Sequence, residues 1–190
     1  MYFQWWLLLP FMTLLTAPVF CQTQDMAQVL AQVRSKYFPE LNELQIKVEE
    51  FEPSGYFLEA NFNYWDILSA AHSRRYRVRY HRDCVTWPTP WLEAILVHEL
   101  SHILDYSKMN SADLARLAID IFFNKNSTYE RDTDWSGLKR APKTALGLLQ
   151  QRQYVYKTLG PDIEKKYRKK YLSTEEIQQW IAHQGATLNM

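Results

Sequence analysis

The stretch Val97-His98-Glu99-Leu100-Ser101-His102 (VHELSH) carries two histidines four residues apart, with a glutamate directly after the first. On an α-helix, residues i and i+4 project from one face a single turn apart, so both imidazoles can reach the same metal ion. Glu99 would then lie beside that ion, where a carboxylate can act as a general base. The alternative is an amphipathic helix that packs two histidines without a metal, and other parts of the chain have to separate the two interpretations.

The chain around VHELSH is predicted to be helical from Thr89 onward. Thr89 and Pro90 are typical of an N-cap followed by proline at the first helical position. Hydrophobic spacing and turn signals predict further helices at residues 26–37, 111–123, 127–138, 144–159, 162–171 and 174–183.

Strands are predicted only before this helical part. Apolar residues alternate with polar ones in residues 44–51 and again in residues 56–62, with the turn Pro53-Ser54-Gly55 between them, which predicts a hairpin. Residues 75–80 place Tyr76, Val78 and Tyr80 on one face of a strand and arginines on the other. The sequence therefore predicts an α+β fold, with a small, mostly antiparallel N-terminal sheet followed by a helical C-terminal half.

Length and charge limit the classes of protein that fit. A chain of 190 residues is long enough for one compact domain, which we place at residues 22–190. The 22 lysines and arginines nearly cancel the 21 aspartates and glutamates, so the charge balance gives no reason to expect nucleic acid as a partner. No glycine-rich phosphate-binding loop is present in the sequence.

The N-terminal residues 1–21 are typical of a targeting segment. Their apolar run, residues 5–20, is shorter than a transmembrane helix requires and contains Pro10 and Pro18, which favours a cleaved signal peptide. The segment lacks lysine and arginine, so an uncleaved membrane anchor stays open as the alternative. We expect an exported protein, periplasmic or secreted, in contact with a membrane only if this segment is retained.

A catalytic zinc site usually has three protein ligands, so VHELSH needs a third donor downstream. The longer pattern HExxHxxGxxH requires glycine and histidine where this chain has Asp105 and Lys108, which excludes that branch of the zinc proteases. Glu130 is the best remaining candidate, with Asp134 four residues later on the same helical face. The alternative for Glu130 is a capping box with Ser127, in which it caps its own helix.

HELSH followed at this distance by Glu130-Arg131-Asp132-Thr133-Asp134 resembles the gluzincin family of zinc peptidases, the thermolysin-like class. The resemblance covers residues 74–137 and implies a zincin-like fold. It implies His98, His102 and Glu130 as zinc ligands, Glu99 as the general base and Asp134 as the partner that orients His98. It also implies an edge strand at residues 75–80 that binds an extended substrate, with Arg75, Arg77 and Arg79 as substrate-binding residues. Tyr129 departs from the family pattern, which has asparagine at that position, and the chain is much shorter than a full thermolysin-like enzyme.

Hydrolysis of an amide also requires a donor for the oxyanion. Gluzincin-like sites take a tyrosine or histidine from the C-terminal half. We rank Tyr154 and Tyr156 ahead of Arg152 and His183, although helical spacing is equally compatible with a packing role for each.

The sequence thus predicts a zinc-dependent metallopeptidase that hydrolyses peptide bonds of a peptide or protein substrate with zinc-activated water and Glu99 as general base. The alternative is a non-catalytic zinc-binding protein of the cell envelope, a binding or scaffold protein that keeps a relic site.

Overall fold

The computed structural model describes residues 24–51, 57–123 and 127–188. Its strands are β1 (Ile46–Glu50), β2 (Leu58–Phe62) and β3 (Tyr76–Tyr80), and its helices are α1 (Met26–Tyr37), α2 (Thr89–Lys108), α3 (Ser111–Phe122), α4 (Ser127–Arg140), α5 (Ala145–Leu159), α6 (Pro161–Lys170) and α7 (Thr174–Leu188). The predicted α+β fold is confirmed, with a small N-terminal sheet and a helical C-terminal half. The predicted turn Pro53-Ser54-Gly55 and the predicted signal peptide at residues 1–21 lie outside the described residues.

The sheet is mixed rather than mostly antiparallel. Its strand order is β1-β3-β2, with β1 parallel to β3 and β2 antiparallel to β3. The predicted hairpin between β1 and β2 is wrong, because β3 lies between them. Alternation identifies a strand but not its neighbours, and β3 carries the most buried apolar pair of the sheet, Tyr76 and Val78. A central position buries that pair between two flanking strands.

Helix α2 is the central element of the described fold. Leu92, Leu96, Leu100 and Ile103 are fully buried, and the helix packs against α1, α4, α5 and β2. It begins at Thr89 with Pro88 in the N-cap position, so the predicted N-cap at Thr89 is wrong by one residue. Because these elements pack around α2, the side chains of VHELSH are held in fixed positions.

The helical half packs on α2 through a second apolar cluster. Buried residues of that cluster come from α2 and from the later elements: Ala94, Leu138, Ala145, Leu148, Leu149, Leu172 and Ile177. Gly147 of α5 lies so close to α2 that a Cβ there would stand 2.1 Å from the carbonyl oxygen of Pro90. Only glycine allows this approach, which brings α5 against the helix that carries VHELSH.

No helix within the described ranges combines the length and the apolar character that crossing a membrane requires.

Candidate metal centre

His98 and His102 project from α2 toward a common point. Their Nε2 atoms are 3.1 Å apart and their rings are nearly perpendicular, with centroids separated by 4.7 Å. Both side chains are buried. The i, i+4 spacing therefore brings the two imidazole nitrogens together, as the helical geometry requires.

Glu130 reaches the same point from α4. Its Oε2 lies 3.3 Å from Nε2 of His98 and 3.3 Å from Nε2 of His102. Ligand atoms bound tetrahedrally to zinc at about 2.0–2.1 Å stand about 3.3 Å from one another. The buried group of His98, His102 and Glu130 could therefore hold a metal ion.

Hydrogen bonds behind the two rings set their tautomers. Nδ1 of His98 lies 2.8 Å from Oδ1 of Asp134, so its N–H donates to that carboxylate. Nδ1 of His102 lies 3.4 Å from the hydroxyl of Thr133, which itself donates to the carbonyl of Tyr129. Each neutral ring thus carries its hydrogen on Nδ1 and turns the Nε2 lone pair toward Glu130. With both rings neutral, these lone pairs repel one another at this distance unless a proton or a metal ion lies between them.

The charges around the centre favour such a cation. Asp134 pairs with Arg152 at 3.3 Å and Glu130 with Lys170 at 3.5 Å, while Glu99 adds a third buried carboxylate. Buried carboxylates need compensating positive charge because desolvation is costly. A divalent cation between the histidines and Glu130 would supply it.

The pKa values of the ligand residues follow the same electrostatics. Burial opposes a charge on His98, but the carboxylates of Asp134 and Glu130 outweigh burial and raise the pKa of His98 to about 10. Burial also disfavours the carboxylate of Glu130, but hydrogen bonds with His102 and His98 lower its pKa far below the usual range. The carboxylates around the centre therefore stabilise positive charge, which favours a proton on His98 and would also favour a bound cation in its place.

Asp134 connects the ligands to the helical half. Besides His98, its carboxylate accepts a hydrogen bond from the backbone N–H of Leu172 at 2.9 Å. Burial opposes its charge, but Arg152 and His98 outweigh burial and lower its pKa. Asp134 is therefore a charged group that orients the ring of His98 and fixes the segment after α6.

Replacing Asp134 with asparagine is expected to weaken zinc binding about 10- to 100-fold, because the variant removes the charge behind His98. Competition of the purified protein with a chromogenic zinc chelator measures this. Asp132→Asn, an exposed position on the same helix, is the matched control and should bind zinc like the wild type. Equal affinity of a folded Asp134→Asn variant and the control would show that Asp134 does not support the site.

Glu99 lines a cavity of about 370 Å³ together with His98 and His102. Burial raises its pKa, while His98, His102 and the backbone N–H of Ala60 act in the opposite direction. The cavity joins a polar end, formed by the ligand residues, Glu99 and Lys170, to an apolar wall of Phe62, Tyr64, Tyr106, Ala118 and Ile121. This wall gives the site room for a side chain beside the metal-ligating group.

All five residues of β2 line the cavity, whereas β3 contributes only Arg79. Strand β3 pairs on both sides, so the predicted edge strand at residues 75–80 is wrong. Asn63 donates to the carbonyl of Arg75, and His81 to that of Phe57, which sets the alternation along the β2–β3 ladder. By that alternation the backbone groups of Leu58, Ala60 and Phe62 point away from β3. In the described sheet that edge of β2 pairs with no strand.

Each of the three predicted substrate-binding arginines is paired with a carboxylate. The pairs are Arg75, directly before β3, with Asp66 at 2.8 Å, and Arg77 and Arg79 of β3 with Glu49 at 3.6 Å and Glu59 at 2.6 Å. Among these arginines, Arg79 lines the cavity. Strand β3 has no free edge for a peptide, because both of its edges pair with other strands. Its arginines are also already paired with carboxylates.

The structure does not bring Tyr154 or Tyr156 to the cavity wall. Tyr154 packs against Trp87 and Trp91, and Tyr156 packs against Tyr167. Of the other two candidates, Arg152 pairs with Asp134, and neither Arg152 nor His183 is among the described residues that line the 370 Å³ cavity.

Tyr171, a tyrosine that the sequence did not single out, lies beside His98 and lines the cavity. Its ring lies 5.8 Å from that of His98, the guanidinium of Arg152 stands 4.7 Å from its centroid, and it lines the cavity. Burial and then Glu130 raise its pKa well above the usual value, which keeps its hydroxyl protonated. Tyr171 follows the last residue of α6, where helical spacing gives no indication of its direction. Tyr171 directly precedes Leu172, whose backbone N–H donates to Asp134. Only the fold shows that this bond brings Tyr171 close to His98.

Comparisons of the chain with protein-family models, with curated proteins and with solved structures gave no match. The interpretation of the site rests on its own residues.

Proposed function

We propose that this protein is a zinc metallopeptidase of zincin-like architecture. The observation that carries the proposal is the convergence of Nε2 of His98, Nε2 of His102 and Oε2 of Glu130 at 3.1–3.3 Å beside the buried carboxylate of Glu99. Two histidines and a glutamate with a neighbouring general base form the ligand set of zinc peptidases of the thermolysin type. The resemblance to gluzincins in the sequence supports the same assignment.

Zinc at this centre would supply Lewis acidity that polarises a carbonyl and lowers the pKa of water. Glu99 takes a proton from the attacking water on its carboxylate and delivers it to the amine that leaves. Its place on α2, directly after a ligating histidine, keeps it beside the reacting atoms without requiring it to bind the metal.

Tyr171 is the residue that we propose as the oxyanion donor, in place of Tyr154 and Tyr156. Its ring lies against His98 and its hydroxyl stays protonated at neutral pH. A neutral donor near the metal-ligating group can stabilise the negative charge that develops on the carbonyl oxygen. Arg152, which stacks on the ring, holds Tyr171 in place.

The substrate is an extended peptide that adds to the open edge of β2. The outward-facing backbone groups of Leu58 and Phe62 offer hydrogen bonds to such a strand, while the N–H of Ala60 faces Glu99. An extended segment along β2 passes the Glu99 side of the centre, and the apolar wall accepts one of its side chains. We further propose that the enzyme acts outside the cytoplasm, a proposal that rests on the sequence of residues 1–21.

The test is a measurement of zinc and of cleavage on the same purified wild-type protein. Mass spectrometry of the metal should find about one zinc per chain. Incubation with a peptide library, followed by identification of the products, should reveal cleavage that a zinc chelator stops and added zinc restores. Tight zinc binding without cleavage of any peptide would favour the non-catalytic envelope protein instead, and a wild type without zinc would overturn the site.

A further inference from the structure

Lys170 contacts the third proposed ligand on the side away from the histidines. Its Nζ lies 3.5 Å from Oε1 of Glu130, whereas Oε2 of the same carboxylate is the atom that faces both Nε2 atoms. The two oxygens of Glu130 therefore have different partners. The ammonium lies at one oxygen and the imidazoles lie at the other.

Both groups of this contact are largely removed from water. The side chain of Lys170 is 20% exposed and that of Glu130 is 11% exposed. Charges attract one another more strongly at such a site than on the surface, where water screens them. A rotation that turned Oε1 toward the histidines would move it away from the ammonium.

The backbone around Lys170 is fixed from two sides. Arg131 donates to the carbonyl of Tyr171 at 2.8 Å, and the N–H of Leu172 donates to Asp134 at 2.9 Å. Both bonds connect this segment to α4, the helix that carries Glu130. The backbone next to Lys170 is therefore fixed relative to the helix that carries Glu130, which gives the contact between the two side chains a defined geometry.

We propose that Lys170 is a positioning residue that holds Oε1 of Glu130 away from the metal, so that Glu130 ligates through Oε2 alone. This inference rests on the proposed zinc site. One-oxygen ligation limits the protein to three donor atoms, and a catalytic zinc needs a further position for water or substrate. The positive charge also reduces the negative charge that Glu130 contributes to the ion, which keeps the ion strongly Lewis acidic.

The experiment compares zinc coordination in Lys170→Met, Lys170→Gln and Lys170→Arg with that of the wild type. X-ray absorption of the zinc protein gives the coordination number, and the visible spectrum of the cobalt protein gives an independent measure of it. Both neutral variants should retain zinc and increase the coordination number from four to five, as Glu130 ligates through both oxygens. Peptide cleavage should fall about tenfold or more. Lys170→Arg keeps a cation and should preserve four-coordination.

Lys169→Met, an exposed neighbour on the same helix, is the matched control and should behave as the wild type. The inference is overturned if Lys170→Met and Lys170→Gln both show the same coordination number and cobalt spectrum as this control. A wild type that binds zinc but cleaves no peptide contradicts the proposed function, yet the coordination readout still decides the role of Lys170. A wild type that binds no zinc overturns both.

Discussion

Glu99→Gln is expected to reduce peptide cleavage by about 100- to 10,000-fold while zinc content stays at the wild-type level, because glutamine cannot accept the proton of the attacking water. Glu99 lines the cavity beside His98 and His102 but does not belong to the group that could hold the metal. Its carboxyl is buried and its pKa is raised by that burial, so a neutral side chain of the same shape fits the site. The measurement pairs the initial rate on a cleaved peptide with zinc content determined on the same sample.

Glu93→Gln is the matched control, since Glu93 lies on the same helix and pairs with Lys36 at 3.7 Å, away from the centre. It should cleave peptide at the wild-type rate. A Glu99→Gln variant with wild-type zinc content and wild-type cleavage would exclude Glu99 as the general base. A variant that lost its zinc would show instead that Glu99 helps to hold the ion.

Glu130→Ala is expected to weaken zinc binding more than 100-fold, a larger loss than removal of an outer partner such as Asp134 causes. The substitution removes one of the three converging donor atoms and leaves two histidine nitrogens, a set too small for a tight site. It also removes the carboxylate that Lys170 contacts. Zinc affinity is measured by competition with a chelator, and cleavage should fall with zinc content.

Asp132→Ala removes an exposed carboxylate from the same helix and should leave zinc affinity unchanged. This comparison also separates the two sequence-level interpretations of Glu130. If Glu130 served only as a helix cap, Glu130→Ala would lower the melting temperature but retain zinc. Retained zinc affinity in that variant would therefore exclude Glu130 as a ligand.

The secondary structure of the described chain was largely predictable because its signals are local. The apolar spacing in residues 26–37 matches α1 to the residue, and the alternation of residues 75–80 matches β3 apart from its first position. The order of the strands was not predictable from those patterns. A Pro-Ser-Gly turn between two alternating segments favours a hairpin, but long-range burial of Tyr76 and Val78 put β3 between β1 and β2.

The candidate site was predictable where a short spacing on one helix determines geometry. His98 and His102 lie close together because any α-helix places residues four apart on one face, and the same rule applies to Glu130 and Asp134. The proposed oxyanion donor, Tyr171, and the proposed substrate-binding strand, β2, were not predictable in this way. Tyr171 reaches His98 through the packing of the segment after α6, and β2 borders the cavity only because β3 occupies the centre of the sheet.

The sequence by itself determined the α+β composition and the helix that carries both histidines, and it made Glu130 the best downstream candidate for a third ligand, with a helix cap as the alternative. Those properties follow from hydrophobic period, helical spacing and the chemistry of the side chains. The tertiary structure alone decided that Glu130 turns one oxygen to the histidines and the other to Lys170, and that Asp134 joins His98 to Leu172. These contacts link residues 28 or more positions apart, and such contacts arise only when the helical half closes on α2.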